Sequence, residues 1–321
     1  MNTSVDLIAI EKLRSTLDKY ILNTPMVRCF ELEQRFSSNT KIFAKMEFLQ
    51  HTGTFKLRGA LTSLLNLNKK QLINGVTAVS AGNHAIAIAY ASLMLGVNAK
   101  VVMPKSSNIF RVESCRKLGA EVVFADDATA AFERVEKIKY DENRVFIHPF
   151  EGMNIIHGTA TLGYEICEQC NEMDAVIVPI GGGGLCAGIS SYVRGKSPAT
   201  CIYGVEPLNA NSINESIKNN SPQKCTGMST IADSLAAPFA MPISFKHCRD
   251  NLSESLMVSD NEIIKSMNIL FDELKLAVEP ACAVSTAALL GPLRDKINGK
   301  KVVLIMCGSN IDWHTYNDNT Q

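Results

Sequence analysis

The sequence contains no apolar run long enough to cross a bilayer. Its longest candidate, AIAIAYASLMLGV from Ala85 to Val97, has 13 residues, against the ~20 that a span needs, and reads as a helix buried in a core. Charge of either sign is not in excess: 32 Lys and Arg stand against 32 Asp and Glu, for a net charge of zero. That withholds the global basic field with which proteins hold phosphate backbones, so nucleic acid is not the expected partner. The one C-x-x-C, Cys167 to Cys170, has no second ligand pair at matching spacing, so two thiols near a helix end are expected rather than a structural zinc site. The N-terminal MNTSVDLIAIEKLRSTL mixes charges into its apolar residues. It therefore lacks the character of a secretion signal and reads as an amphipathic helix. The ten cysteines then read as reduced thiols, and the expected location is the cytoplasm. Fixed-period repeats, low-complexity tracts and an obvious linker are missing as well.

What is present is alternation. Short β-branched runs such as GVTAVS, AKVVMP, EVVFA and RVFIHPF are separated by helical spacing, as in NIFRVESCRKLGA. A second set follows from about residue 156: IIHGTATLGYEICEQ as a helix, DAVIVPI as a continuously apolar strand, LCAGISSYVRG as a helix, then CIYGVEP, SLMVS and KVVLIMC as strands. DNEIIKSMNILFDEL reads as an amphipathic helix with Asp260 as its cap. Strand, helix, strand with short Gly or Pro punctuation means right-handed βαβ units and parallel sheets. At 321 residues, 46% hydrophobic and 20% charged, the chain reads as an ordinary globular α/β protein with two open sheets.

Ligands of open parallel sheets bind at the carboxyl ends of strands. Four stretches fall there: TFKLRG, SAGNH, GGGGL and CGSN. Gly181 to Gly184 lie between a buried strand and a helix, where bare backbone N–H groups and the positive helix end can wrap an anion. The run is neither a Walker A loop nor a dinucleotide fingerprint, so the expected phosphate is not a nucleotide's. Ser80 and the loop N–H groups around it can hold a carboxylate, and Asn83 can meet a ring oxygen, although the stretch alone is equally a helix cap. Cys307, at a strand end, offers a neutral thiol to a weakly basic ring nitrogen; alone, a buried Cys is usually packing. Lys56, in an apolar setting, is either part of a basic surface turn with Arg58 or an amine kept near neutrality so that it can react. Taken together, the four stretches describe a site for pyridoxal phosphate.

The chain resembles the fold-type II pyridoxal-phosphate enzymes of the threonine/serine dehydratase and serine racemase group. The likeness runs from NTPMVRC through HTGTFKLRGA, SAGNHA, EGMNIIHGTATLGYEI, PIGGGGL, GVEP, STIAD and VEPACA to CGSN. It implies two mainly parallel twisted sheets flanked by helices, in the manner of the tryptophan synthase β subunit, with the cofactor in the cleft between them. Residues 1–65 and 152–321 would form the larger, cofactor-binding domain, and 66–151 a smaller mobile one. In this resemblance Lys56 matches the Schiff-base lysine and Phe55 its neighbour beside the ring. Asn83 matches the partner of the ring oxygen, and Gly181, Gly182, Gly183, Gly184 and Leu185 the phosphate loop. Glu279 matches a glutamate near the ring and Cys307 the neutral partner of the pyridine nitrogen. Ser80, Gly82, Asn83 and His84 fall where the substrate carboxylate is received. Glu206 and the carbonyl of Ala210 match a cation site whose third ligand falls on Ser212, a poor ligand for a hard cation. IADG is altered to IADS at Ser234.

The resemblance implies dehydration and deamination of a β-hydroxy amino acid such as threonine or serine to a 2-oxo acid and ammonia, by a homodimer. Racemases of the group carry a serine where this chain has Ala81, and proton transfer on both faces of Cα needs two bases, so a racemase is the weaker alternative. A β-replacement enzyme of the cysteine-synthase kind and a non-catalytic carrier of the cofactor are the others. The residues around Phe150 to Asn154 and the STIADSLAAP loop are expected to set the pocket wall.

Overall fold

The structure, a computed structural model, describes residues 4–225 and 227–321. The N-terminal amphipathic helix is present as α1, Leu7–Leu17; the first three residues of the stretch that predicts it lie outside the described residues. Among the described residues ten strands form two sheets. The larger has the order β1-β2-β10-β7-β8-β9, from Met26–Arg28 (β1), Lys41–Lys45 (β2), Ala175–Pro179 (β7), Cys201–Pro207 (β8), Glu254–Val258 (β9) and Lys301–Ile305 (β10). Only β1 runs antiparallel to its neighbour. The smaller, wholly parallel sheet has the order β5-β4-β3-β6, from Val76–Val79 (β3), Ala99–Pro104 (β4), Glu121–Ala125 (β5) and Val145–Phe146 (β6).

The continuous apolar run of β7 is buried at every residue, as a central parallel strand covered on both faces must be. It pairs with β10, Val303 opposite Val176. The helices that bear on function are α2 (Lys56–Leu65), α3 (Asn83–Leu95), α4 (Ile109–Lys117), α5 (Ala128–Asp141), α6 (Met153–Gln169), α7 (Gly184–Lys196), α8 (Ser212–Lys218), α9 (Asp260–Leu274), α10 (Pro280–Leu290) and α11 (Trp313–Thr320). α2 packs on both α3 and α6, and Leu57, Leu61 and Leu64 belong to the core of the smaller sheet. Among the described residues no helix is long and apolar enough to cross a membrane.

Two expectations change, and one reading left open is excluded. RVFIHPF shrinks to the two residues of β6: Ile147 still donates its N–H to Thr77 O, but Pro149 has none to give and the pairing ends. Asp260 does not cap α9. Ser259 does, in a reciprocal capping box with Glu262, and the Asp260 carboxylate instead accepts from Thr230 Oγ1 (2.6 Å) and Ile231 N (3.1 Å), which holds the loop leading to Ser234. Lys56 and Arg58 form no surface turn. Arg58 is fully buried and forks onto two carboxylates, Glu47 and Glu165, at 2.7–2.9 Å. Lys45 donates to Glu165 Oε2 and Thr24 O, both at 2.6 Å, and Arg14 also reaches Glu165. Five charged side chains distant in sequence thus fasten α1, β2 and α6 to the first turn of α2. Cys167 and Cys170 are buried free thiols at the end of α6, as expected.

Candidate active site

A cleft opens between the carboxyl ends of the two sheets, and TFKLRG, SAGNH, GGGGL and CGSN all meet in it. Its inner part is lined by Lys56, Asn83, Gly181 to Gly184, Glu279 and Cys307. Its outer part is lined by Ser80, Ala81, Arg111, Phe132, Phe150 and Asp233, with Lys56 shared between the two.

Lys56 is the first residue of α2, and its Nζ donates to Pro149 O at 2.6 Å. Burial brings its pKa from the ordinary lysine value down to about 8, with Cys307 and Glu279 only partly opposing the shift. The Phe55 ring centroid lies 5.2 Å from the amine. At the carboxyl end of β7 the glycine loop turns into α7 through Gly183, which sits at φ +89° where an L side chain is strained. Neighbouring glycines are needed for space. A Cβ on Gly182 would lie 2.2 Å from the Phe150 ring, and one on Gly184 would lie 2.6 Å from Phe150 O. The cavity wall there is therefore bare backbone leading into a helix N-terminus, which suits a phosphate. Leu185 follows in the first turn, buried.

On the facing side, Asn83 begins α3. Its Nδ2 donates to Glu279 Oε1 (2.7 Å) and Ser234 Oγ (3.2 Å), and its Oδ1 accepts from Asn310 Nδ2 (2.7 Å). Glu279 is buried, and burial raises its pKa; its Oε2 has no hydrogen-bond partner. Cys307 is buried too, and contact with Cys282 together with burial raises its thiol well above the ordinary value, so it stays protonated and neutral. The described residues fit pyridoxal phosphate: an amine with a lowered pKa, bare backbone leading into a helix start, a neutral thiol and a buried carboxylate oxygen that accepts no hydrogen bond face one cavity.

The remaining predicted residues divide. Ser80 Oγ accepts the Gly82 N–H at 3.0 Å, and its own proton is left to donate. The His84 side chain is turned to β6: burial brings its pKa down to about 3, so the neutral ring donates from Nε2 to Ile147 O at 2.9 Å. Its share in holding a carboxylate falls to its backbone N–H. Glu206 and Ala210 stand outside this cleft. The two Glu206 oxygens accept from Ile213 N (2.9 Å) and Asn214 N (2.7 Å) at the start of α8, and burial raises the carboxyl to about 8 against those bonds. Among the described residues no group of three or more His, Cys, Asp or Glu is arranged to hold a metal ion.

The sequence reading passed over Arg111, Phe132 and Phe239. Phe132 comes from α5 and Phe239 from the loop after Ala236. Their ring centroids are 5.5 Å apart, and Phe239 lies 6.3 Å from Phe150. His148 meets Phe150 edge-on at 4.5 Å, and burial brings its pKa down to about 4. Phe132 and Phe150 line the cleft and Phe239 packs against both; the cluster draws on distant parts of the chain, and no local pattern announces it. Phe150 and the STIADSLAAP loop do line the cleft, as expected, whereas Met153 and Asn154 begin α6.

Residues 17–308 match the family described as pyridoxal-phosphate dependent enzyme. The chain is 46% identical over 314 residues to phenylserine dehydratase of Ralstonia pickettii, covering 98% of this chain and 96% of that protein. It is 33% identical over 304 residues to L-threonine ammonia-lyase of Thermotoga maritima, covering 94% and 75%. Maize serine racemase has a similar structure, with a TM-score of 0.92, 29% identity, and 98% and 96% of the two chains covered. The chain therefore belongs to the family of pyridoxal-phosphate dependent enzymes.

Proposed function

We propose that this enzyme eliminates the β-hydroxyl group of a β-hydroxy amino acid carrying an aromatic β-substituent, yielding a 2-oxo acid and ammonia. The observation that carries the aryl preference is the pair of rings on the cleft lining, Phe132 and Phe150, each braced by Phe239; such rings favour an aromatic neighbour. The activity of the Ralstonia relative supports the same substrate class.

Pyridoxal phosphate, when bound, supplies an aldehyde for the amino group and a ring that draws electrons from Cα. The chain supplies the rest. Lys56, whose pKa of about 8 leaves a fraction of the amine unprotonated at physiological pH, would be the amine that joins the cofactor and the base that takes the Cα proton. Gly181 to Leu185 hold the phosphate at the start of α7. Asn83, supported by Glu279 and Asn310, would serve the ring oxygen, and Phe55 would flank the ring. Cys307, a neutral thiol on the cleft lining, would be the partner of the ring nitrogen and would give it no proton, which would favour prompt loss of the β-hydroxyl over long-lived carbanion chemistry. Ser80, Gly82 and the N–H groups of Asn83 and His84 receive the carboxylate at the start of α3. Hydrolysis of the released elimination product then frees ammonia. Ala81, on the cleft wall, has no proton to give or take, so racemisation lacks its second base.

Residues 66–151 are proposed as the mobile unit that closes on substrate. The assembly proposed is a homodimer, supported by exposed Val27, Phe30 and Leu49 beside the edge strand β1, and the location proposed is cytoplasmic. The test of the reaction is a panel of L-phenylserine, L-threonine, L-serine and L-threo-3-hydroxyaspartate, scored by 2-oxo acid and ammonia. The expected result is a kcat/KM for phenylserine about 10-fold or more above the others, the size of a good aromatic contact set. Equal or better turnover of serine or threonine overturns the aryl preference. Absence of ammonia from every substrate overturns the elimination itself.

A further inference from the structure

Arg111 has no part in the reading above, yet its side chain is 5% exposed and lies in the cleft. It leaves α4, in the unit of the smaller sheet, and reaches across to the larger one. Its Nε–H donates to Asn310 O at 2.8 Å and Nη1 donates to Asp233 Oδ2 at 2.5 Å. Nη2 makes only a long contact with Asp233 Oδ1 (3.3 Å) and stands 3.7 Å from Glu279 Oε2. A guanidinium offers five N–H donors in a rigid fork, so part of this one is uncommitted. The arm also presses on the loop that opens α3: a Cβ on Gly82 would lie 2.3 Å from Arg111 Cδ and 2.8 Å from Nε. Gly82 caps α3, and the N–H groups that follow it have no acceptor within the helix. A fixed cationic fork and a helix start thus converge on one spot, next to the Ser80 hydroxyl.

We propose that Arg111 is a substrate-binding residue that grips the α-carboxylate from the α4 side, with Asp233 and Asn310 fixing the fork in place. The inference rests on the reading of the cleft as an amino-acid site, but not on the aryl substituent. A lysine at this position would carry the charge without the fork. A neutral residue would leave Asp233 and Glu279 facing the carboxylate unopposed.

The test uses the cofactor-loaded enzyme with L-phenylalanine, which has no β-leaving group, and with L-phenylalaninamide, which lacks the carboxylate. Dissociation constants come from the change in the cofactor's visible absorbance. Arg111→Met should lower the acid-over-amide preference by about 10-fold or more, the size of a charged hydrogen bond, and Arg111→Lys should lower it by less. The absorbance before ligand is added should be unchanged in both. Asn108→Ala is the control. The Asn108 Nδ2 donates to Asp312 and Thr315, so its loss cuts another tie from α4 without touching the carboxylate, and the preference should stay at the wild-type value. An unchanged preference in Arg111→Met, or an equal fall in Asn108→Ala, overturns the proposal and leaves Arg111 as a tie between the sheets. If Arg111→Met does not fold or load cofactor, Arg111→Lys decides, and a wild-type preference there overturns it. Phenylalanine binding no better than alanine counts against the aryl reading alone; the same ratio measured with L-alanine and L-alaninamide then tests Arg111.

Discussion

Two buried polar clusters leave the first turn of α2 in opposite directions, and they are built to opposite standards. Arg58 leads into one in which each carboxylate meets at least two cationic or hydroxyl donors and no side-chain nitrogen or oxygen is left over. Burial alone would raise the Glu165 carboxyl, but Arg58 and Lys45 outweigh it and bring it down to about 2. Lys56 leads into the other, where the amine has one carbonyl partner, Glu279 Oε2 accepts no hydrogen bond and has only the Arg111 cation at 3.7 Å, and burial wins over the nearby acids. A saturated buried network fixes geometry; an unsaturated one holds groups whose partners have yet to arrive. Two residues apart on one helix, the chain uses one cation as a rivet and the other as a reagent.

The comparison breaks most visibly if the two are removed separately. Lys56→Ala should lose ammonia release by at least about 10²–10⁴-fold, together with the cofactor's visible absorbance, and its unfolding free energy should stay within about 1 kcal/mol of wild type. Retained turnover would end the assignment of Lys56. Arg58→Ala should do the reverse. Two carboxylates left buried without their fork cost about 3–5 kcal/mol, read as a lowered urea midpoint by circular dichroism. A wild-type midpoint would mean that the network contributes no net stability.

A smaller effect sharpens the same contrast. With a pKa near 8, the Lys56 amine is mostly protonated at pH 6.5 and free above pH 8.5. The rate at which apoenzyme takes up pyridoxal phosphate should rise about tenfold per pH unit below 8 and level off above it. A rate still climbing at pH 10 would place the amine at its ordinary value.

The sequence displays the reactive cluster far better than the structural one. The run from β7 through four glycines into α7, the start of α3 and the Lys56 turn are each local, so residue type and spacing carry the meaning. Arg58 joins residues 14, 45, 47 and 165, and no segment shows that its cation is buried. Arg111 hides for a similar reason: it is one of three basic residues on α4, and only the approach of Gly82, Asp233 and Asn310 singles it out. The edge pair β1 and β2 is short and, in β1, only half-buried, too little pattern to stand out. Asp260 against Ser259 turns on which side chain reaches back to the first helical amides, a matter of one residue.

The C-terminal helix α11 gives the molecule an optical reporter. The chain's only tryptophan, Trp313, stacks on Tyr316 in that helix, immediately after the Asp312 that both caps the helix and accepts the bond from Asn108 of the opposite unit. Any swing of residues 66–151 that parts Asn108 from Asp312 therefore tugs on the one indole in the sequence. Its emission would report the proposed closure of residues 66–151 with no label attached.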